Sequence, residues 1–229
     1  MSPQDGPSPA APGQAELAAY WLPFTANRAF KRRPRLIERA EGMQYVTADG
    51  RKLLDAMSGL WCCNAGHCRA PIAEAIARQA ARLDYAPAFQ AGHAPAFLLA
   101  SRLSQLAPDG LDHVFLCNSG SEAVDSALKI ALAYHKLAGA SARTRFVSRE
   151  KAYHGSALGG TSVGGMPQNR TLFEPLLDVD QLRSTYSRER QAYARGEPEW
   201  GADLADDLSC LLALDDAASI AAMIVEPMT

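Results

Sequence analysis

Apolar positions follow two spacings along the 229-residue chain, and their alternation predicts an α/β fold. Between 123 and 138 they recur every three or four residues up to Gly139, which predicts one long helix with a glycine stop. Short apolar runs at 113–117, 145–148 and 219–225 are typical of strands buried in a parallel sheet. Because strands alternate with helices, we expect a mostly parallel sheet with flanking helices. The other predicted helices span 15–21, 71–83, 94–106 and 202–214.

A different pattern precedes this region. Short alternating runs between 36 and 56 surround an Asp49-Gly50 pair, a strong hairpin signal, so a small antiparallel sheet is predicted there. The predicted organisation is a disordered lead at 1–14, an N-terminal segment at 15–69 with the hairpin sheet, and a large domain at 70–229. Since an α/β domain seldom ends on a central strand, we expect this large domain to be incomplete and its sheet truncated.

Two further stretches are predicted to be irregular. Glycine pairs at 159–160 and 164–165 indicate a mobile segment, and the polar stretch from 170 to 200 reads as a long surface excursion.

Composition narrows the class of protein. The chain is 48% hydrophobic and 21% charged with a net charge of −2, which is typical of a soluble globular protein. The basic run at 31–35 reads as a solvated face, so we predict no nucleic-acid partner. No apolar run approaches the ~18 residues that span a bilayer, and the N-terminal residues lack a basic start followed by an apolar core, so we predict a cytoplasmic protein without a membrane partner.

Five cysteines, an odd number without a C-x-x-C pair, argue against a disulfide framework or a zinc ribbon. Cys62, Cys63, His67 and Cys68 are close in sequence, but their spacing matches no common metal-ligand pattern. We therefore predict small buried thiols and no metal site.

The candidate chemistry centres on the junction between the predicted strand at 113–117 and the long helix. Ser119, Gly120 and Ser121 stand at the helix start, where unpaired N–H groups and a partial positive charge favour a phosphate. Ser119 followed by Glu122 is also a capping box, and the two interpretations stay open. Neither G-x-x-x-x-G-K-[ST] nor G-x-G-x-x-G is present, which argues against ATP and NAD.

Two later segments are expected at the same edge of the sheet. Tyr153-His154-Gly155 follows the strand at 145–148, and Glu226-Pro227 follows the strand at 219–225. Ligands of open α/β sheets bind at the carboxyl ends of the strands, so these loops and the helix start can meet over one ligand.

Three motifs together resemble the class III aminotransferases of the pyridoxal-phosphate fold type I superfamily. They are Asn-Ser-Gly-Ser-Glu-Ala at 118–123, Tyr-His-Gly at 153–155 and Ile-Val-Glu-Pro at 224–227. The upstream stretches 21–28 and 59–67 resemble the ω-amino acid–pyruvate branch, which includes β-alanine–pyruvate transaminases. The likeness extends from about Tyr20 to the end of the chain.

The resemblance implies a role for each candidate residue. Ser119, Gly120 and Ser121 would hold the phosphate of pyridoxal 5'-phosphate, and Tyr153 would stack on its ring. His154 would lie nearby, or would only fix the loop through hydrogen bonds, and Glu226 would support the residues that hold the ring. Trp61 and, more weakly, Phe24 would line the substrate pocket.

The resemblance also implies groups that this chain does not supply. The lysine that forms the Schiff base and the carboxylate that pairs with the pyridine nitrogen fall beyond Thr229, so no catalytic residue is assigned here and the chain alone is expected to be inactive. The implied substrates are an amine donor and a keto acid such as pyruvate, and the full-length protein would be a homodimer or tetramer.

Other functions stay open. A protein of this fold could be a non-catalytic module that binds a phosphate ligand, or another class III enzyme such as a diamine transaminase or an aminomutase. A Rossmann-like oxidoreductase would need the glycine fingerprint that is absent.

Overall fold

The computed structural model describes residues 11–196, 198–214 and 217–227. The chain divides into two compact units, residues 1–97 and 98–229. Of the predicted lead at 1–14, residues 1–10 lie outside the described residues, and Gln14 is already the first residue of a helix. The predicted domain boundary between 69 and 70 stays a prediction.

Helices form close to each of the predicted helical ranges, and strands form close to the predicted ranges 145–148 and 219–225. The helices are α1 (Gln14–Ala19), α2 (Asn27–Arg32), α3 (Ser58–Trp61), α4 (Ala70–Arg82), α5 (Ala94–Ser104), α6 (Gly120–Leu137), α7 (Leu158–Val163), α8 (Pro167–Arg170), α9 (Arg188–Gln191) and α10 (Ala202–Leu214). The strands are β1 (Ile37–Glu41), β2 (Gln44–Thr47), β3 (Lys52–Leu54), β4 (Arg145–Arg149), β5 (Val179–Leu182) and β6 (Ile220–Met223). A 3-10 turn at Ala217–Ser219 precedes β6.

The first unit contains the predicted antiparallel sheet. Its strands lie in the order β1-β2-β3, and both pairs are antiparallel. The turn between β2 and β3 requires glycine, because Gly50 has φ +80° and its N–H donates to Thr47 O over 2.8 Å. The hairpin prediction is confirmed.

The second unit is built on a parallel sheet of order β5-β4-β6. The central strand β4 pairs on both sides, Phe146 with Val179 and with Ala222, and the Phe146 side chain is fully buried. Leu128 of α6 and Val163 of α7 complete the buried core around it. The α/β architecture with a mostly parallel sheet and flanking helices is thus confirmed.

The predicted strand at 113–117 is wrong. This segment has no regular secondary structure, and Phe115 and Leu116 are 70% and 52% exposed. A parallel strand needs a neighbour to take its N–H and C=O groups, and none of the strands in the described residues pairs with this segment. An apolar run alone therefore does not make a strand.

The predicted mobile segment around the glycine pairs is also wrong. Residues 160–165 are buried, and most of them belong to α7. A Cβ on Gly160 would lie 2.4 Å from His154 O, and one on Gly165 would lie 2.2 Å from Arg149 O. These glycines permit close packing of backbone on backbone, which composition cannot distinguish from flexibility.

The polar excursion at 170–200 contains one strand that the sequence pattern did not predict. Strand β5 pairs with β4 at the sheet edge, although Asp180 and Gln181 break its apolar run. Among the described residues, no helix is long and apolar enough to cross a membrane.

Candidate functional site

Helix α6 begins with a capped first turn. Ser119 is its N-cap, and the Ser119 Oγ accepts a hydrogen bond from Glu122 N over 3.1 Å. The Glu122 carboxylate accepts from both Asn118 N and Asn118 Nδ2 at 2.9 Å, and these bonds hold the pKa of Glu122 below its ordinary value. The capping interpretation of Ser119 is therefore realised in the structure.

Capping leaves two donors free at the helix start. The N–H groups of Gly120 and Ser121 donate to no described residue, and a Cβ on Gly120 would meet no atom within 4 Å. Two unpaired N–H groups at the positive end of an 18-residue helix form a receptor for an anion. Capping by Ser119 and anion binding by the following residues are compatible.

The loop after β4 lies against this first turn. Ser156 N donates to Ser121 Oγ over 3.0 Å, and Gly160 N donates to Asp125 Oδ1 over 2.9 Å. Gly155 has φ +107°, and a Cβ there would lie 2.8 Å from Ser121 Oγ, so only glycine permits this approach.

The loops after β4 and β6 also meet. Glu226 Oε1 accepts a hydrogen bond from Tyr153 N over 3.1 Å, so the segment after β6 supports the segment that carries Tyr153. The Tyr153 side chain is 43% exposed and can offer its ring to a ligand.

His154 is buried beside Tyr153. It is 6% exposed, and its Nε2 has no hydrogen-bond partner among the described residues. Burial lowers the pKa of His154, and the nearby Glu226 charge opposes this only in part. Among the described residues, none accepts or donates a hydrogen bond at His154 Nε2 that would fix the loop.

Comparison with known proteins gives the family. The model of the class III aminotransferases matches residues 25–229. The chain is 56% identical over 217 residues to an omega-aminotransferase of Caulobacter vibrioides, covering 94% of this chain and 49% of that protein. It is 48% identical over 217 residues to an omega-amino acid–pyruvate aminotransferase of Pseudomonas putida, covering 94% and 48%.

The chain belongs to the class III aminotransferases. Its fold is similar to that of a thermostable omega transaminase variant with a tryptophan-to-glycine change, which was engineered for asymmetric synthesis of enantiopure bulky amines. The TM-score is 0.86 at 30% identity, and the match covers 94% of this chain and 49% of that one. The chain spans about half the length of the curated relatives it matches.

The cofactor of class III aminotransferases is pyridoxal phosphate, and the residues at the α6 start fit it. Its phosphate needs several donors, and the N–H groups of Gly120 and Ser121 and the Ser121 hydroxyl are donors of the kind that fits it. The open space beside Gly120 admits a ligand. The half-exposed Tyr153 offers an aromatic face, and the unpaired His154 Nε2 leaves one polar atom for a ligand or a water.

The two predicted substrate-pocket residues of this class III chain lie in the first unit. Trp61 is 72% exposed and Phe24 is 83% exposed, and both have positive φ, +65° and +48°. Their side chains are therefore not core residues of that unit. Their role toward a substrate stays a prediction.

An open groove in the first unit contains none of the predicted cofactor residues. It is lined by basic and apolar side chains that include Phe30, Arg33, Arg35 and Arg51. Arginine side chains are of the kind that can bind a phosphate.

Other findings correct or extend the sequence analysis of the class III chain. Cys62 and Cys68 are exposed, so the prediction of buried thiols is wrong for them, because they lie on a surface loop.

No group of three or more His, Cys, Asp or Glu side chains in the described residues could hold a metal ion. Ser156 and Asp125, which join α6 to the loop after β4, were missed, since contacts 35 residues apart leave no local sequence signal.

Proposed function

We propose that the full-length protein transfers an amino group from an ω-amino acid or another amine to pyruvate, with pyridoxal phosphate as cofactor. The observation that carries the proposal is the meeting of three segments at one edge of the parallel sheet. The free N–H groups at the start of α6 lie beside the loop of Tyr153, and Glu226 supports that loop. In a class III chain, this arrangement supports a cofactor site.

We propose pyruvate as the amino acceptor because the names of two relatives include it. A protein 48% identical to this chain is an omega-amino acid–pyruvate aminotransferase, and one 45% identical is a beta-alanine–pyruvate aminotransferase. We propose β-alanine as the first donor to test. Diamine transamination and an aminomutase reaction are the alternatives within the class.

The residues of this chain have positioning roles in the proposal. Gly120, Ser121 and the capped Ser119 turn hold the phosphate, and the Ser121 hydroxyl accepts from Ser156 N while it donates its hydrogen to the phosphate. Tyr153 covers the ring, and the buried His154 lies next to Tyr153 in the chain. When bound, the cofactor supplies the electron sink that labilises a Cα–H bond. This chain's part is to bind and orient it.

Trp61 and Phe24 are proposed to line the substrate pocket. Their exposure leaves both rings free for contact with a ligand. A solved relative carries a tryptophan-to-glycine change and serves the synthesis of bulky amines, which supports a size-limiting role for a tryptophan in this family. A homodimer or tetramer is proposed for the full-length protein.

The test is direct. Full-length protein incubated with pyridoxal phosphate, β-alanine and pyruvate is expected to form alanine at a rate that saturates with both substrates. The matched control replaces pyridoxal phosphate with pyridoxal, which lacks the phosphate that α6 is proposed to hold. If pyridoxal phosphate binds but no alanine forms from β-alanine, a diamine or an aromatic amine, the proposal fails and the non-catalytic phosphate-binding module replaces it.

A further inference from the structure

Trp61 ends the short segment α3 (Ser58–Trp61), which is not a regular right-handed helix but a loop with an unfavourable backbone. Ser58, Gly59, Leu60 and Trp61 have φ of +51°, +60°, +59° and +65°, four consecutive residues in the left-handed region. Left-handed residues other than glycine are disfavoured and normally occur singly. Such a loop persists only where its surroundings hold it.

The buried Asp55 carboxylate accepts hydrogen bonds from the backbone of this loop. Asp55 accepts hydrogen bonds from Met57 N over 3.1 Å and from Gly59 N over 2.7 Å. The Asp55 side chain is 7% exposed, and the hydrogen bond from His67 is the main cause that holds the pKa of Asp55 below its ordinary value. Two of the hydrogen bonds that Asp55 accepts thus come from backbone N–H groups two and four residues before Trp61.

His67 orients that carboxylate. Its Nε2 lies 2.6 Å from Asp55 Oδ2, and its side chain is 9% exposed. Backbone bonds between His67 and Gly42, of 2.8 and 3.2 Å, fasten His67 to the turn between β1 and β2. The Tyr45 ring packs against it at 4.5 Å. The pair therefore ties the loop to the antiparallel sheet.

The loop is also packed around a glycine. A Cβ on Gly59 would lie 3.2 Å from Tyr45 Oη, 3.4 Å from Cys63 Sγ and 3.6 Å from His67 Cε1, and its φ is positive. The Trp61 side chain, in contrast, is 72% exposed. The direction of the indole is therefore set by the backbone of the loop and not by packing of the ring in this unit.

We propose that Asp55 and His67 are positioning residues for Trp61, and that through this loop they set the selectivity among amine donors. The inference rests on the proposed function, because it takes Trp61 as part of the substrate pocket. Neither residue touches the substrate. Each acts by holding the left-handed turn in which Trp61 stands.

The test is a double-mutant cycle in the full-length protein. The variants are Asp55→Asn, Trp61→Leu and their combination, and the readout is the ratio of kcat/KM for a bulky aromatic amine to that for β-alanine. We expect Asp55→Asn to shift this ratio in the same direction as Trp61→Leu, by about fivefold, within the range for coupled neighbours. In the Trp61→Leu background the same change is expected to leave the ratio unaltered.

The chain offers a matched control. Asp49 lies in the turn between β2 and β3, accepts from Arg51 Nε over 2.9 Å and from Thr47 Oγ1, and has no bond to the Trp61 loop among the described residues. Asp49→Asn should leave the donor ratio unchanged. His67→Gln, which keeps a donor near Asp55, should shift the ratio less than His67→Ala, and this pair keeps the test informative if Asp55→Asn does not fold.

A second readout does not depend on activity. The amide protons of Met57 and Gly59, which donate to Asp55, should exchange faster in Asp55→Asn than in wild type. An unchanged exchange rate overturns the inference, as does a ratio shift that persists in the Trp61→Leu background. If Trp61→Leu alone leaves the ratio unchanged, the proposed role of Trp61 fails together with the inference. If Trp61→Leu shifts the ratio and Asp55→Asn does not, the inference alone fails.

Discussion

Replacing Ser121 by alanine tests the phosphate site most sharply, because the Ser121 hydroxyl has two neighbours of different kinds. Its oxygen accepts from Ser156 N over 3.0 Å, and its hydrogen can turn away from Ser156 Oγ, 3.4 Å distant, to donate to a phosphate. A hydrogen bond to a charged group is worth about 1.5–3 kcal/mol, and a neutral bond at an exposed position about 0.5 kcal/mol, since water replaces the lost partner. The change should therefore weaken pyridoxal phosphate binding by roughly 10- to 150-fold.

A control variant at Ser156 separates the hydrogen bond to the phosphate from the hydrogen bond to the loop after β4. Ser156→Ala removes the hydroxyl 3.4 Å from Ser121 Oγ but keeps the backbone N–H that donates to it. This variant should bind the cofactor less than about threefold more weakly than wild type, the effect of an ordinary surface substitution. Both variants should unfold at nearly the wild-type denaturant concentration.

The assay is an equilibrium titration of the full-length protein with pyridoxal phosphate and with pyridoxal, followed by absorbance. The account predicts that Ser121→Ala weakens pyridoxal phosphate and leaves pyridoxal unchanged. Unaltered affinity for pyridoxal phosphate would show that Ser121 does not touch the phosphate. Equal weakening of both ligands would show that Ser121 acts only by holding the loop that carries Tyr153.

Three further predictions concern single residues. Trp61→Leu should change the relative kcat/KM of amine donors more than the melting temperature, because the ring is 72% exposed; a large melting shift with an unaltered donor profile would make Trp61 a structural residue. Burial lowers the pKa of His154, so its contribution to stability is present above its ordinary pKa of about 6.5 and is lost as the pH falls through the folded-state pKa. In wild type the urea concentration at the unfolding midpoint should therefore fall between about pH 7.5 and 5, and His154→Gln should make this fall less steep. An unchanged slope would contradict the prediction. Phe146→Ala should cost about 3–5 kcal/mol of unfolding free energy in a denaturant titration, because the ring is fully buried at the centre of the sheet, and a loss below about 1 kcal/mol would refute that placement.

The elements that the sequence predicted well are those with a local signal. Helix α6 was predicted from its apolar spacing and its serine start, and the hairpin from Asp49-Gly50, because capping and turn geometry depend on neighbours in the chain. The approach of Glu226 to Tyr153 followed from a topological rule, since the carboxyl ends of parallel strands share one edge.

The elements that were missed depend on distant partners. The apolar segment at 113–117 forms no strand because no described strand pairs with it, and β5 forms in spite of Asp180 because β4 lies beside it. Gly160 reads as flexible in sequence, yet it is packed against His154 O. The bonds from Asp55 to the Trp61 loop had no signal either, since a buried carboxylate looks like any surface aspartate until the fold encloses it.

The central claim is that the start of α6 holds the cofactor phosphate. A crystal structure of the full-length protein grown with pyridoxal phosphate tests it directly. The account predicts phosphate oxygens within hydrogen-bond distance, about 2.7–3.2 Å, of the N–H groups of Gly120 and Ser121 and of Ser121 Oγ. A phosphate bound elsewhere, for example in the groove of Arg33 and Arg35, with the α6 start left to solvent, would contradict it.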